Sequence, residues 1–183
     1  KTKHYPVLLG EVLQYLDPKA GESYLDLTAG YGGHAKEVTD RTLSKPHKTT
    51  LVDRDQNAVN HLQAMFQTSA HMIHTDFYSA SLELHRQGKQ FDLILVDLGV
   101  SSPHLDDAAR GFSIRMDGPL DMRMDERQTL TADTIVNSYD EAELRRILQT
   151  YGEEPRATKI ARLIVEHRPI DTTLQLAEIV ARA

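Results

Sequence analysis

Residues 25–38 read LDLTAGYGGHAKEV: an apolar run with an aspartate, three glycines in four positions, then apolar groups at helical spacing. Glycines crowded between a strand and a helix let backbone come close to a ligand or a neighbouring segment, because no Cβ stands in the way. The stretch predicts one strand–loop–helix unit, with SYLDLTA (23–29) as a buried strand and GHAKEVTDRTL (33–43) as the helix. The same alternation continues. KTTLVD (48–53), HMIHTDF (71–77) and the strongly apolar FDLILVDLGV (91–100) read as strands, and QNAVNHLQAMF (56–66) and SASLELHRQ (79–87) as helices. PVLLGEVLQYL (6–16) precedes them as a helix opened by Pro, a good first-turn residue. This order predicts an α/β fold with a parallel sheet covered on both faces, and ligands beyond the carboxyl ends of the strands.

After Val100 the pattern changes. Residues 101–130 hold no sustained period and a dense mixture of charges, which predicts a long loop that is either functional or disordered. From 131 onward TADTIVNSY, DEAELRRILQTYG, EPRATKIARLIVEHR and TTLQLAEIVARA read as helices, the last with Thr172 and Gln175 spaced as a capping box. A four-strand sheet followed only by helices leaves an apolar sheet edge, so further strands are expected after Ala183. The start, KTKHYPVLL, lacks Met and an apolar signal core, which predicts a start set by processing or trimming.

The glycine loop leaves two ligands open. GYGGHA (30–35) matches G-x-G-x-x-A, a variant of the dinucleotide fingerprint, and would suit an NAD-dependent oxidoreductase. Asp53 ends the second strand, where a carboxylate accepts hydrogen bonds from ribose hydroxyls of either NAD or S-adenosylmethionine. Asp26 separates the two: beside a pyrophosphate it repels like charge, whereas the ammonium and sulfonium of S-adenosylmethionine are favoured by it. Asp76 and Phe77 follow the third strand, where a polar group and a ring can bracket an adenine, although Asp76 also suits a helix cap. Asp97 leaves the fourth strand at the ligand edge. No Tyr-x-x-x-Lys set for hydride transfer follows that strand.

Composition narrows the partners. With no cysteine among 183 residues, disulfides and thiolate metal sites are excluded, and the apolar runs are strand-sized. A net charge of −6 falls on both halves, so any grip on nucleic acid must come from local basic faces. Arg156, Lys159 and Arg162 recur every three residues and make one such candidate face. His71, His74 and Asp76 do not read as a metal site, since alternation on a strand sends the two histidines to opposite faces.

HYPVLLGEVLQYL, LDLTAGYGGH, LVDRD, DLGVSSPHLDDAARGFSIRMDGPLDMRMD, TADTIVN and YGEEPRATKIARLIVEHR together resemble the MraW/RsmH family, from His4 to the end of the chain. Those proteins are S-adenosylmethionine-dependent methyltransferases that act on the exocyclic N4 of a cytosine in small-subunit ribosomal RNA. The resemblance implies a Rossmann-like class I methyltransferase domain with an inserted all-helical domain. It further implies that the C-terminal strands of that sheet are absent from this chain. Its implied domains are 1–101, the N-terminal part of the cofactor-binding domain, and 102–183, a substrate loop and the inserted helices. Cofactor contacts would fall on Gly32, Gly33, His34, Asp53, Phe77, Asp97 and His104, the last standing where the family usually has Gln. The loop departs from the common TxGxGGH form only at variable positions, Ala29 and Tyr31. The resemblance further implies a small ribosomal subunit as partner, a homodimer, no membrane, and a bacterial cytoplasm or a mitochondrial matrix. A ribosome assembly factor on the same fold is the non-enzymatic alternative.

The implied chemistry singles out a few side chains. The cytosine N4 lone pair is delocalised into the ring, so a carboxylate accepting from that amine would localise it, and Asp97 is the catalytic candidate. A target base must be unstacked to be reached. Phe112 is a candidate stacking partner or a small loop core. Arg110, Arg115 and Arg123 are candidates for phosphates, or members of a salt-bridge network with Asp106, Asp107, Asp117 and Asp121.

Overall fold

The computed structural model describes residues 6–43 and 48–183; His4 and Tyr5 of the opening motif lie outside them. The chain divides into two compact units, Lys1–Gly99 and Val100–Ala183.

In the first unit four strands form one parallel sheet in the order β3-β2-β1-β4: β1 (Tyr24–Asp26), β2 (Thr49–Asp53), β3 (His71–His74) and β4 (Leu93–Leu95). Helices α2 (Gly33–Thr42), α3 (Gln56–Phe66) and α4 (Phe77–Arg86) connect successive strands, and α1 (Leu9–Leu16) precedes them. Side-chain alternation explains the layering. Tyr24, Leu51 and Leu93 turn to one face and pack with Leu13 of α1, Ala35 and Val38 of α2, and Leu62 and Phe66 of α3. Leu25 and Val52 turn to the other, against Ala80 and Leu84 of α4. Both faces therefore carry helices, but unequally. Among the described residues of this unit the α4 face has a single helix, and Ile94 on β4 is 52% exposed there.

Two expectations need correction. The helix expected from Pro6 begins at Leu9, because Leu8 adopts a left-handed conformation (φ 50°) that an α-helix does not accept. The ten-residue strand expected at 91–100 is ordered as strand only over Leu93–Leu95. β4 pairs with β1 alone, and past Leu95 its backbone turns to a side chain: the Asp97 N–H donates to Thr28 Oγ1 at 2.7 Å.

The second unit is helical: α5 (Ser102–Asp106), α6 (Ala132–Ser138), α7 (Glu141–Gly152), α8 (Ala157–Glu166) and α9 (Thr173–Ala181). Along α8, Ala157, Ile160, Ala161 and Ile164 form a stripe at positions i, i+3, i+4 and i+7, and all four are buried. Val136, Leu144, Ile170, Ile179 and the loop residue Leu120 close the core with this stripe. The capping box on α9 is half made as expected: Thr172 Oγ1 accepts from Gln175 N, but Gln175 Oε1 accepts from Asp171 N, one residue earlier than the box requires.

The long loop is ordered by backbone contacts. A 3-10 turn spans Ala108–Arg110, and Met122 N donates to Arg110 O. A Cβ on Gly111 would stand 2.2 Å from Pro119 O, and one on Gly118 1.9 Å from Ala108 O, so at both positions only glycine lets the two backbones meet.

Candidate functional site

The carboxyl ends of β1 and β2 and the segment leaving β4 bring together the glycine loop and three aspartates. Gly32 has φ 81° and lies against Met65, Leu62 and Phe66 of α3. Gly33 opens α2, where a Cβ would stand 2.5 Å from Pro6 Cγ, so the segment before α1 lies directly on the loop. The loop is held by acids. Asp53 Oδ2 accepts from Gly30 N at 2.7 Å and Oδ1 from Asp55 N at 2.8 Å, each oxygen keeping a further lone pair.

Asp26 behaves differently from the expectation of a carboxylate facing a cation. It is 1% exposed, and it accepts from Tyr24 Oη (2.7 Å) and Thr28 N (3.1 Å). Burial pushes its carboxyl up to about 6, Asp53 adding to the rise, while the Tyr24 and Thr28 hydrogen bonds and His34 pull it down. Burial, with Asp26 alongside, likewise pushes the Tyr24 hydroxyl up. Asp26 thus reaches the ligand edge through its field and through the backbone of Thr28.

His34, the second residue of α2, is buried, with Nε2 2.9 Å from Val7 O and Nδ1 3.8 Å from Asp97 Oδ2. The Asp97 side chain is 45% exposed and stands two residues beyond β4. Phe77 begins α4 and is 43% exposed. Asp76 takes its alternative role as helix cap, accepting from Tyr78 N, Ser79 N and Ser79 Oγ, which hold its carboxyl below the usual range. Sequence reasoning missed Thr28 and the Val7 carbonyl. Thr28 stands in the quoted strand, but its contact with Asp97 spans 69 residues and no local spacing signals it.

In the second unit His104 is buried in α5, its Nδ1 3.0 Å from Ser101 Oγ and its ring 5.1 Å from that of Phe112. The proposed stacking ring therefore already has an aromatic neighbour. Two of the three candidate arginines are engaged internally. Arg110, 8% exposed, donates from Nη2 to Arg123 O (2.9 Å) and Met124 O (3.2 Å). Arg123 forks onto Asp121 (2.9 and 2.7 Å) and donates from Nη1 to Glu126 O and Gln128 O. Arg115 is exposed. On the α8 side Arg156 and Arg162 lie 3.9 and 3.7 Å from Glu154 and Glu166, and Lys159 Nζ donates to Ala183 O.

A groove of about 950 Å³ lies elsewhere, between α4 and the sheet, and Ser23 and Lys48 at the amino ends of β1 and β2 line it. It carries none of the candidate residues. Among the described residues no cluster of three or more His, Asp or Glu could hold a metal ion, and no helix is long and apolar enough to cross a membrane.

Against known proteins, the model of the MraW methylase family matches residues 1–183. Three curated relatives are named ribosomal RNA small subunit methyltransferase H. The protein from Cyanothece sp. is 45% identical over 181 residues, covering 98% of this chain and 60% of that protein. The one from Mycoplasma capricolum is 45% identical over 186 residues (99% and 60%), and the one from Clostridium botulinum 43% over 187 (99% and 60%). The chain thus spans 60% of the length of these relatives.

Proposed function

The chain belongs to the MraW methylase family, and from that premise we propose that the whole protein transfers a methyl group from S-adenosylmethionine to the N4 amine of a cytosine in small-subunit ribosomal RNA. The observation that carries the reading is the acid-lined strand edge, where Asp53 and Asp97 surround the glycine loop and Asp26 lies buried behind it. Carboxylates and backbone N–H groups suit a ligand with cationic and hydroxyl groups, and disfavour a pyrophosphate.

Gly32, Gly33 and His34 would hold the amino-acid end of that ligand, Asp53 its ribose hydroxyls and Phe77 its base. When bound, it supplies a methyl on a sulfonium. Asp97 accepts from the N4 amine, which localises the nitrogen lone pair and aligns it for in-line displacement. In the second unit Arg115, exposed on the long loop, is the one of the three candidate arginines left to meet a phosphate. The partner on this reading is the small ribosomal subunit or its RNA.

The test is a filter assay with methyl-labelled cofactor and the full-length protein on undermethylated small subunits. Label in the RNA at cytosine N4 is the expected result, and no incorporation overturns the proposal. Asp97→Ala is expected to lower turnover about 100-fold or more; unchanged turnover removes Asp97 from the chemistry.

A further inference from the structure

A histidine inside a fold ordinarily has partners for both ring nitrogens, one donating and one accepting. His34 has a partner for one. Its Nε2 lies 2.9 Å from the Val7 carbonyl, and a carbonyl only accepts, so Nε2 carries the hydrogen. In the neutral ring Nδ1 is then a bare lone pair, and it faces Asp97 Oδ2 at 3.8 Å. Two acceptors face each other, an arrangement that becomes favourable when one proton is added between them. The backbone that carries the carboxylate is anchored, because the Asp97 N–H is held by Thr28 Oγ1 at 2.7 Å. The imidazole is anchored by burial and by the Val7 carbonyl.

Methylation of an amine releases a proton that must go somewhere. We propose that the Asp97–His34 pair is the proton acceptor of the methyl transfer, with His34 Nδ1 as the final station. The inference rests on the methyl-transfer reading above and gives His34 a role beyond contact with the cofactor. The bond from N4 to the methyl carbon forms as the carbon–sulfur bond breaks, with that electron pair remaining on sulfur. The N4 proton passes to the Asp97 carboxylate and from there to Nδ1, leaving neutral N4-methylcytosine, an ionised Asp97 and an imidazolium with both nitrogens donating. No oxidant, reductant or metal enters the balance. The imidazolium then loses its proton to water before the next turnover.

The variant that isolates this role is His34→Gln in the full-length protein, since its amide can still donate to the Val7 carbonyl but offers no basic nitrogen. Expected, at saturating S-adenosylmethionine, are an unchanged KM for small subunits and single-turnover transfer slower by about 100-fold. Imidazole in the buffer should restore part of the rate of His34→Ala, which a purely structural histidine would not allow. Asp97→Asn combined with His34→Gln should cost little more than Asp97→Asn alone, because the two act in series. A readout free of turnover is the ¹⁵N spectrum of the imidazole, expected to show the Nε2–H tautomer.

A His34→Gln enzyme that is fast at saturating cofactor overturns the assignment, as does an Nδ1–H tautomer. Failure of the wild type itself to label small subunits is a different result and overturns the function on which the assignment rests.

Discussion

In Lys1–Gly99 the turns around the sheet are held by carboxylates that accept from backbone N–H groups: Asp26 from Thr28, Asp53 from Gly30 and Asp55, Asp55 from Asn57, and Asp76 from Tyr78 and Ser79. In Val100–Ala183 similar carboxylate turns are joined by a second device, guanidiniums that donate to backbone carbonyls. Arg110 holds those of residues 123 and 124, Arg123 those of 126 and 128, and Arg168 those of 136 and 139. The difference is chemical as well as geometric. A carboxylate loses its charge within an accessible pH range, whereas a guanidinium keeps its own throughout. The first unit therefore has loops whose strength and whose attraction for a cation vary with pH, and the second adds loop contacts that do not. Arginines used in this way are also withdrawn from any phosphate.

The comparison is broken most severely at Arg110. Arg110→Ala leaves two part-buried carbonyls without their donor and is expected to destabilise the protein by about 2 kcal/mol, read as a fall in the denaturant midpoint. Arg110→Lys should recover only part of it, since an ammonium is more strongly hydrated than a guanidinium and costs more to bury. A loss below about 1 kcal/mol for the alanine variant would mean that the guanidinium is not what orders the loop.

Asp26 sharpens the pH side. Its folded carboxyl binds a proton more tightly than an unfolded one, so its contribution to stability is fully present below about pH 4 and is lost as pH rises through about 6. Asp26→Asn should therefore be more stable than wild type at pH 7 by about 2 kcal/mol, with the gap closing toward pH 4. Thermal melts across that range decide it, and a variant less stable at pH 7 would show that the charge is needed where it is.

The smallest expected effect is at Asp76. Its carboxyl is held below the usual range, so the sign reverses: its contribution is present at neutral pH and lost in acid. Asp76→Ala should cost about 1 kcal/mol, as the loss of a helix cap usually does, and the difference from wild type should vanish in melts at low pH.

Local pattern made much of this visible beforehand. The helix read at 56–66 is ordered over those residues, with Asp55 as its cap, because apolar spacing and a capping acid agree there. The parallel sheet followed from the alternation of elements. What stayed hidden depends on long-range encounters. The apolar run 91–100 looks like one long strand, but only Leu93–Leu95 is ordered as strand, and Asp97 turns to Thr28 instead of continuing it. Arg110 looked available to phosphate because its carbonyl partners lie 13 and 14 residues away and carry no side-chain signature. Asp26 was legible as an acid beside the glycines, but Tyr24, two residues back on the same face, turns it inward.

The two glycines at which the long loop's backbones touch carry a thermodynamic consequence. With Gly111 against the Pro119 carbonyl and Gly118 against the Ala108 carbonyl, the stretch between them is already in one conformation. A ligand that settles on it meets a surface whose ordering entropy was lost during folding, so association there involves no coupled disorder-to-order step. Calorimetry of such an association would then record a heat-capacity change set by the contact area alone, without the excess that a folding segment adds.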